Sequence, residues 1–516
     1  MRQYRCRGTI TVFLSLISVL FLSLLCTSIE SARIQGSRAK AAAALDMGLF
    51  SVLGEFERGL LEKYDVFFLD GAYGGGSYSR DHMTQKLQEY MDYNASPNKG
   101  LLFRGVDMFP VKVKEVDITG VQLATDEKGE AFYQQAVGFM KENLGTELVS
   151  TALQRMNDAK KLEQAGQDYE RQDRTNETQL STLQQQQAQE KQRIEEEQKA
   201  AVEASGGEVQ ETEAQLPAVK PEKNPLEVIK AIRRKGLLRL LLGTDAQISQ
   251  KKLPGDIPSK RKCERGNLTV ERKHRGLTAD LIFQEYLFQR FSLFTDEKKE
   301  GILDYALEYI LCGKSSDEKN LKSVVTRLLL LREGANFAYI TTSPEKKGEA
   351  DALAALLVGA IPIPGLIPAT SYALQLVWAY AESLLDVREL LLGGKVPLFK
   401  EAADWRLSLS SIPELLDILY SAGGSGDHGV SYSGYLQMLF TLGKKSAYPM
   451  RALDMAEGVL KSMEGMESFR ADHAVCKISA TSDFSIPPMF LKVSAAFLKT
   501  GVVQTDYHAS GSFSYY

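Results

Sequence analysis

Glu382 and Asp386 are the two residues whose types and spacing best suit acid–base chemistry. They lie four positions apart in a segment that is predicted to be helical, so both side chains should lie on one helix face, beside Trp378. A pair of carboxylates can act as a general acid and a general base. Arg388 is close enough in sequence to neutralise either acid. We therefore expect a buried ion-pair network that ties helices together, with a paired-carboxylate site as the alternative.

Three glycine-containing motifs resemble phosphate-binding loops but lack the surroundings that such loops need. Residues 424–429 read G-S-G-D-H-G, yet residues 413–419 before them are typical of a helix, whereas a dinucleotide site follows a strand. Residues 313–315 read G-K-S, but Glu308 stands where a Walker A motif has its first glycine. The run 71–76 is not followed by a P-loop lysine. These motifs predict loops.

Serine and histidine patterns are also incomplete. Ser431 lies near a nucleophile-elbow pattern, but Ser433 stands where the closing glycine belongs, and no strand is evident before it. Spacings such as H-x3-H or H-E-x-x-H are not found among the five histidines, at positions 82, 274, 428, 473 and 508. Each histidine is therefore expected to be a surface or core residue.

The five cysteines are too far apart for a zinc site or a dense disulfide framework. Cys6 and Cys26 belong to the apolar N-terminal region, and Cys263, Cys312 and Cys476 lie outside it. One disulfide with one free thiol and no disulfide at all are both compatible with this count. We favour small buried side chains. The sequence thus predicts no catalytic residue, no cofactor-binding residue, no metal ligand and no cofactor.

The composition is that of an ordinary globular protein. The 516 residues are 44% hydrophobic and 25% charged, which leaves room for two or three domains. The net charge is −4, so nothing suggests a nucleic-acid partner.

An uncharged apolar run from Thr9 to Ile29 predicts a transmembrane helix. At about 1.5 Å per residue its twenty-one residues span a hydrocarbon core of roughly 30 Å. Arg2, Arg5 and Arg7 precede it and favour a cytoplasmic N-terminus. A cleaved signal is the alternative, but the run is long and no A-x-A-like site follows. We expect a retained anchor in the cell membrane, with the bulk of the chain extracytoplasmic.

The helix is expected to continue beyond the membrane, because no proline occurs between Glu30 and Leu61. An apolar stripe recurs there at helical spacing, at Leu45, Leu49, Val52, Phe56 and Leu60. A separate surface helix after the span is the alternative. The stripe must be covered either by residues 64–153 of the chain itself or by a partner's helix. Glu30 and Arg33, just outside the membrane, would pair between subunits in the second case.

The predicted fold class is α+β, mainly helical, in four segments. Residues 1–63 hold the cytoplasmic stub, the transmembrane helix and the pilin-like helix. Residues 64–153 form a small mixed α/β region, with a helix over 81–93 and a strand over 111–118. Residues 154–224 form a polar helix rich in Gln and Glu, followed by a linker from residue 205. Residues 225–516 form a helix-rich globular domain.

The polar helix 154–204 offers only fragments of a coiled-coil seam, such as Leu180 and Leu183. A solvated helix or a weak helical hairpin is favoured, with self-association as the alternative. Within the last domain, helices are expected over the ranges 226–242, 278–294, 302–311, 318–333 and 372–392. Short strands are expected over Phe337–Thr342 and Val475–Ala480. The uncharged run 352–381 is long enough for a second span, but its central prolines favour two buried helices joined by a turn over 361–365.

The N-terminal pattern at residues 8–16, 29–33 and 60–68 resembles an uncharacterised family of single-pass bacterial membrane proteins. Further matching motifs lie at 309–321, 331–336, 378–383, 386–390, 396–400 with 404–405, and 451–457. The family is associated with Tad-type pilus loci, and its N-terminus is similar to TadE/TadG-like pseudopilins. Phe13 stands where the prepilin pattern has Glu at the fifth position after Gly8, so the resemblance does not extend to processing by a prepilin peptidase. It brings no known activity.

These observations give three functional hypotheses. The leading one is a non-enzymatic, membrane-anchored accessory or structural component of a Tad-like pilus or secretion apparatus. The expected partners are the lipid bilayer and other Tad-pilus or pseudopilin proteins, with the oligomeric state left open. One alternative is a membrane-tethered enzyme that acts on envelope material through Glu382 and Asp386. The other is a surface scaffold or sensor that presents residues 225–516.

Overall fold

The structure of the protein, a computed structural model, describes residues 7–96, 107–143, 146–205, 224–243, 246–299, 301–359, 363–421, 426–492 and 504–516. Its fold is mainly helical α+β, which confirms the predicted class. The predicted linker after residue 205 lies almost entirely outside the described residues.

Helices account for most of the described chain. In chain order they are α1 (Arg7–Leu53), α2 (Arg58–Tyr64), α3 (Arg80–Ala95), α4 (Glu130–Asn143), α5 (Thr146–Ser205), α6 (Pro225–Arg233), α7 (Leu237–Leu242), α8 (Leu277–Arg290), α9 (Ala306–Cys312), α10 (Asp317–Thr342), α11 (Pro344–Val358), α12 (Leu366–Leu391), α13 (Leu415–Ser421), α14 (Tyr432–Leu442) and α15 (Tyr448–Leu460). The strands are β1 (Leu69–Asp70), β2 (Lys112–Leu123), β3 (Lys395–Val396), β4 (Val430–Ser431), β5 (Ala474–Ile486) and β6 (Thr505–Ser514).

The chain forms two compact units. Unit 1 comprises Met1–Asn143, Gly255–Arg275 and Ala452–Tyr516, and unit 2 comprises Leu144–Pro254 and Gly276–Arg451. The predicted segment 225–516 therefore contributes to both units, because its terminal strands pair with the strand of the segment 64–153.

Unit 1 is built on an antiparallel sheet with β5 at its centre. β5 pairs with β2 on one edge and with β6 on the other, and its first residues pair with β1. The predicted strands over 111–118 and 475–480 are confirmed within β2 and β5, and the predicted helix over 81–93 is confirmed within α3. Alternate side chains of β5, such as Ile478 and Ala480, enter a core that they share with α1 and α3.

α1 is one unbroken helix of 47 residues, so the span and the following helix are continuous as predicted. Of the described helices, it alone is long and apolar enough to cross a membrane. Its stripe is covered by the chain itself, since Leu45, Leu49 and Val52 lie in the core with residues of α3, β2 and β5. The alternative of a stripe open to a partner is wrong at these positions. The helix ends at Leu53, so Leu60 belongs to α2.

Unit 2 is organised around the long helices α5, α10 and α12. Its predicted helices are present, but the predicted strand over Phe337–Thr342 is wrong, because these residues form the last turns of α10. β-branched and aromatic residues there favour a strand only weakly, and packing of α10 against neighbouring helices overrides that preference. Gly334 allows the backbone of α10 to approach Ala165 of α5, since a Cβ would lie about 2.3 Å from the Ala165 carbonyl carbon. The predicted helix 226–242 is divided into α6 and α7 before Gly236.

The polar helix and the uncharged run 352–381 behave differently from each other. α5 is a single helix of 60 residues, not a hairpin, and the prediction of a solvated helix is wrong over its first half, where Leu162 and Tyr169 are buried. The run 352–381 forms the end of α11 and most of α12, with residues 360–362 outside the described chain. α12 is buried along most of its length, as predicted. α11 is not, since only Ala350 and Ala354 are buried and Leu356 is 64% exposed.

Candidate functional site

Asp386 is fully buried and lies at the centre of an ionic network in unit 2. Its Oδ2 accepts hydrogen bonds from Arg332 Nε at 3.0 Å and from Asn336 Nδ2 at 2.9 Å, both from α10. Its Oδ1 lies 2.6 Å from Lys400 Nζ and accepts a 2.8 Å hydrogen bond from Arg406 Nη2. The two long helices and the loop that follows β3 therefore meet at one carboxylate.

Glu382 lies one turn before Asp386 on α12 and is equally buried. Its Oε1 accepts a short hydrogen bond from Lys400 Nζ and a 3.2 Å bond from the backbone N–H of Arg406. Its Oε2 accepts a 3.0 Å bond from the backbone N–H of Leu407. The loop 400–407 is thus fixed to α12 by both carboxylate oxygens of one side chain.

Arg332 anchors the other side of the network. Its Nη1 donates to the carbonyl oxygens of Pro397 and Leu398 and to Tyr435 Oη, each at 2.8 Å. These two carbonyl oxygens and one hydroxyl take the place of water as hydrogen-bond partners of the buried guanidinium. The network therefore holds α10, α12, α14 and the loop after β3 together.

The network is electrically balanced. Three carboxylates (Glu382, Asp386 and Glu389) face three cations (Arg332, Lys400 and Arg406). Burial alone would raise the pKa of Asp386, but the adjacent Lys400, Arg332 and Arg406 outweigh burial and hold that pKa well below its usual range. A carboxylate that is stabilised in its ionised form and fully hydrogen-bonded suits a structural cross-link. A general acid or base needs an oxygen that is free to meet a substrate.

The predicted pairing of Arg388 with these acids is wrong. Arg388 Nη1 donates to the Leu241 carbonyl oxygen of α7, and its guanidinium lies 5.4 Å from the ring centroid of Tyr420. The predicted ion-pair network exists, but its cations come from distant parts of the sequence.

The two tryptophans of the chain enclose one lysine at the edge of this network. Lys346 Nζ lies 4.3 Å from the ring centroids of both Trp378 and Trp405. Both indole N–H groups donate to the same carbonyl oxygen, that of Leu407. Burial lowers the pKa of Lys346 from its ordinary value, with Glu349 acting in the opposite direction. The cation–π contacts fix the start of α11 against α12.

The G-K-S sequence at 313–315 ends a helix and does not surround a phosphate. Gly313 has φ of +66° and caps the C-terminus of α9. Arg451 Nη1 donates to the Ile310 and Leu311 carbonyl oxygens at 2.8 and 2.9 Å, so a guanidinium occupies the space beside Gly313. Ser431 accepts from the backbone N–H of Gly434 and serves as the N-cap of α14.

The G-x-G-x-x-G sequence follows α13, as predicted, and so lacks the strand of a dinucleotide site. Residues 422–425 lie outside the described chain. Gly426 donates its backbone N–H to Glu389, and Gly429 has φ of +105° beside Val396. The described part of this motif therefore packs on β3.

No group of three or more histidine, cysteine or acidic side chains within the described ranges is arranged to hold a metal ion. The four described cysteines are free thiols, and Cys26 and Cys476 are buried. Cys6 lies outside the described residues. His428 and His508 pair with Asp404 and Asp483, each at 2.8 Å.

Unit 1 contains a second buried ion cluster that sequence reasoning missed. Arg261 binds Glu457 with two parallel hydrogen bonds of 2.6 Å and Asp472 through Nε at 3.1 Å. Burial would raise the pKa of Asp472, but Arg470 and Arg261 lower it to about 2. These residues lie in three remote segments. Of them, only Glu457 falls within a motif noted in the sequence, at 451–457. The cluster ties the segment 255–275 to α15.

The class that emerges is a mainly helical α+β protein with one N-terminal helix able to span a membrane and with buried, balanced ion clusters. A family profile described as a family of unknown function (DUF5702) matches residues 217–486, just over half of the chain. The chain belongs to this family. Neither the search of curated proteins nor that of solved structures gave a significant match.

Proposed function

We propose that this protein is a non-enzymatic, single-pass membrane protein whose bulk lies outside the cytoplasm. In this role it serves as an accessory or structural component of a Tad-like pilus or secretion apparatus. The observation that carries the proposal is the continuity of α1, which is apolar and exposed over its first half and enters the core of unit 1 over its second half.

The length of α1 supports this role. Its 47 residues extend about 70 Å at 1.5 Å per residue, more than twice the roughly 30 Å of a hydrocarbon core. The helix that crosses the membrane is therefore the same rigid body that organises unit 1. A membrane span that continues as an extracytoplasmic helix has the shape of a pilin-like N-terminus. The Arg2, Arg5 and Arg7 cluster favours the proposed orientation.

The ionic network supports a non-enzymatic role. The carboxylate oxygens of Glu382 and Asp386 are all engaged by groups of the chain itself. The alternative of a membrane-tethered enzyme relies on these acids, and the engagement of all four oxygens supports a structural role for them.

A surface for a pilus partner remains on α1 beyond the membrane. Met47 and Phe50 are mostly exposed there, on the face opposite to the buried Leu45 and Leu49. Large apolar side chains on an exposed helix face suit contact with another helix. Assembly through α1 would therefore use Met47 and Phe50 and not the predicted stripe.

The test is site-specific photocrosslinking in native membranes of the source cell. A photoreactive amino acid at Met47 should give adducts with pilus-type proteins, identified by mass spectrometry. The same amino acid at Leu49 is the matched control and should give none, because Leu49 is buried. Protease added to intact protoplasts should digest residues 225–516. Adducts confined to the chain itself at both positions, or full protection from protease, would contradict the proposal.

A further inference from the structure

The part of α1 that follows the span has one buried face. Residues 9–25 are exposed around the helix, except for the half-buried Ser23. Burial then begins at Cys26 and recurs at Glu30, Arg33 and Ser37, which share one face by their spacing of three and four. Glu30 and Arg33 carry charge, so these buried side chains need hydrogen-bond or ion-pair partners just beyond the end of the apolar run.

A remote segment of the chain binds this face. Glu30 Oε2 accepts a 2.8 Å hydrogen bond from the backbone N–H of Phe490, and Oε1 accepts one of 3.2 Å from that of Met489. Arg33 Nη2 donates to the Pro487 carbonyl oxygen at 2.7 Å, and Arg33 Nε donates to Glu30 at 3.2 Å. The pair is therefore neutral as a whole and holds residues 487–490 by their backbone.

The bound segment is apolar in sequence and partly open to its surroundings. Pro487, Pro488, Met489, Phe490 and Leu491 are five consecutive apolar residues after β5, and all of them are half-exposed. Lys492 follows and is exposed. Their backbone is held at Glu30 and Arg33, within about 6 Å along the helix axis of Ile29, the last residue of the apolar run. Half-exposed apolar residues followed by a lysine, at that level, match the chemistry of a bilayer interface.

We propose that residues 488–491 form a second membrane contact, which enters the headgroup region beside α1, and that the Glu30–Arg33 pair positions it. This inference rests on the proposed anchoring of α1 in a bilayer. If residues 488–491 faced only water, polar side chains would be expected at these positions. A neutral ion pair that also binds backbone groups tolerates the interface better than two separate charges would.

The experiment uses the full-length chain with its five cysteines replaced, reconstituted in phosphatidylcholine–phosphatidylglycerol vesicles. A fluorophore is attached to a single new cysteine in each of the variants Phe490→Cys, Leu20→Cys and Tyr93→Cys. Lipids with a doxyl group near the headgroup or deep in the acyl chain serve as quenchers. Tyr93 is the water-facing control, because it is 71% exposed. It lies near Met91, which packs against Gly48 of α1. Gly48 is about 28 Å beyond Ile29 along the helix axis.

The shallow quencher should reduce emission from position 490 at least about twofold more than emission from position 93, as expected for an interfacial segment. Quenching at Leu20 with equal responses at 490 and 93 would overturn this inference and leave the anchor in place. Absence of quenching at Leu20 would overturn the proposed function as well.

A second variant tests the positioning role of the ion pair. Glu30→Ala in the Phe490→Cys background should bring quenching at 490 close to the value at 93, because the backbone N–H groups of Met489 and Phe490 lose their acceptor. Glu30→Ala combined with Leu20→Cys is the matched control, and quenching at position 20 should not change. Unchanged quenching at 490 would show that Glu30 does not position the segment.

Discussion

Asp386 and Glu308 are both fully buried acids of unit 2, yet their surroundings drive their protonation in opposite directions. Asp386 has three cations as neighbours. Glu308 has only neutral donors, with Tyr432 Oη at 2.7 Å and the backbone N–H of Phe294 at 2.8 Å on Oε1. Its Oε2 has no hydrogen-bond partner.

The comparison shows that burial makes ionisation of a carboxyl group unfavourable, and that neighbouring charges and hydrogen bonds decide whether the group is ionised. Burial raises the pKa of Glu308 to about 7, and the hydrogen bonds from Phe294 and Tyr432 only partly oppose this. At Asp386 the same burial is outweighed by Lys400, Arg332 and Arg406, and the pKa falls. Asp386 is therefore a charged cross-link, whereas Glu308 is a buried group that binds a proton near neutral pH.

The largest effect is expected from Asp386→Asn. The substitution removes the charge that Arg332 and Lys400 share, and leaves buried cations without full compensation. Removing one partner of a buried ion pair costs about 3–5 kcal/mol of unfolding free energy. Urea unfolding of the full-length protein in detergent, followed by tryptophan fluorescence, measures this loss because both tryptophans lie in unit 2.

Asp427→Asn is the matched control, since the Asp427 side chain is 96% exposed. It should change the unfolding free energy by less than about 0.5 kcal/mol. A loss below about 1 kcal/mol for Asp386→Asn would mean that the network is not a cross-link of this unit.

The next effect is a pH-dependent gain from Glu308→Gln. Below pH 4.5 the carboxyl group is protonated in both the folded and the unfolded chain, so it contributes no pH dependence. Between about pH 4.5 and 7 only the unfolded chain releases the proton, and the stability of the folded protein falls as pH rises. Above about pH 7 the loss is constant, at up to roughly 3 kcal/mol. Glutamine keeps the shape and removes the titration.

We expect Glu308→Gln to be more stable than the wild type at pH 8 by roughly 1–3 kcal/mol, and equal to it near pH 4. Urea unfolding at both pH values measures the difference. Glu195→Gln, on an exposed position of α5, should match the wild type at both. A Glu308→Gln variant that is less stable at pH 8 would show that Glu308 is held as a charged group.

Sequence spacing predicted part of the Asp386 network. The prediction that Arg388 pairs with these acids failed for a simple geometric reason. Glu382 and Asp386 are four residues apart and share a helix face, so their common environment followed from the sequence. Arg388 is two residues after Asp386, which turns it by about 200° around the helix and away from that face. The true partners, Arg332 and Lys400, are brought in by tertiary packing, which no local pattern encodes.

The fold shows the same division between local and distant information. The apolar run 9–29, the long polar helix and the strands β2 and β5 carry their periodicity in the local sequence, and each was predicted. The pairing of β2 with β5 joins Lys112 to Ser485 across most of the chain, and the sequence offered no signal for it. Phe337–Thr342 has strand-like residues, and only the packing of α10 in unit 2 makes it helical.

The smallest effect is expected at Lys346, whose ammonium group is stabilised by two aromatic rings and not by an ion pair. Lys346→Met keeps most of the side-chain volume but removes the cation from Trp378 and Trp405. Partly exposed cation–π contacts contribute about 0.5–1 kcal/mol each, so a loss of about 1 kcal/mol in unfolding free energy is expected. Far-UV circular dichroism in urea measures the loss through helix content. Tryptophan fluorescence is unsuitable here, because the substitution alters the environment of both tryptophans. Lys346→Arg keeps the cation and should stay close to the wild type. Equal losses in both variants would assign the contribution of Lys346 to packing and not to its charge.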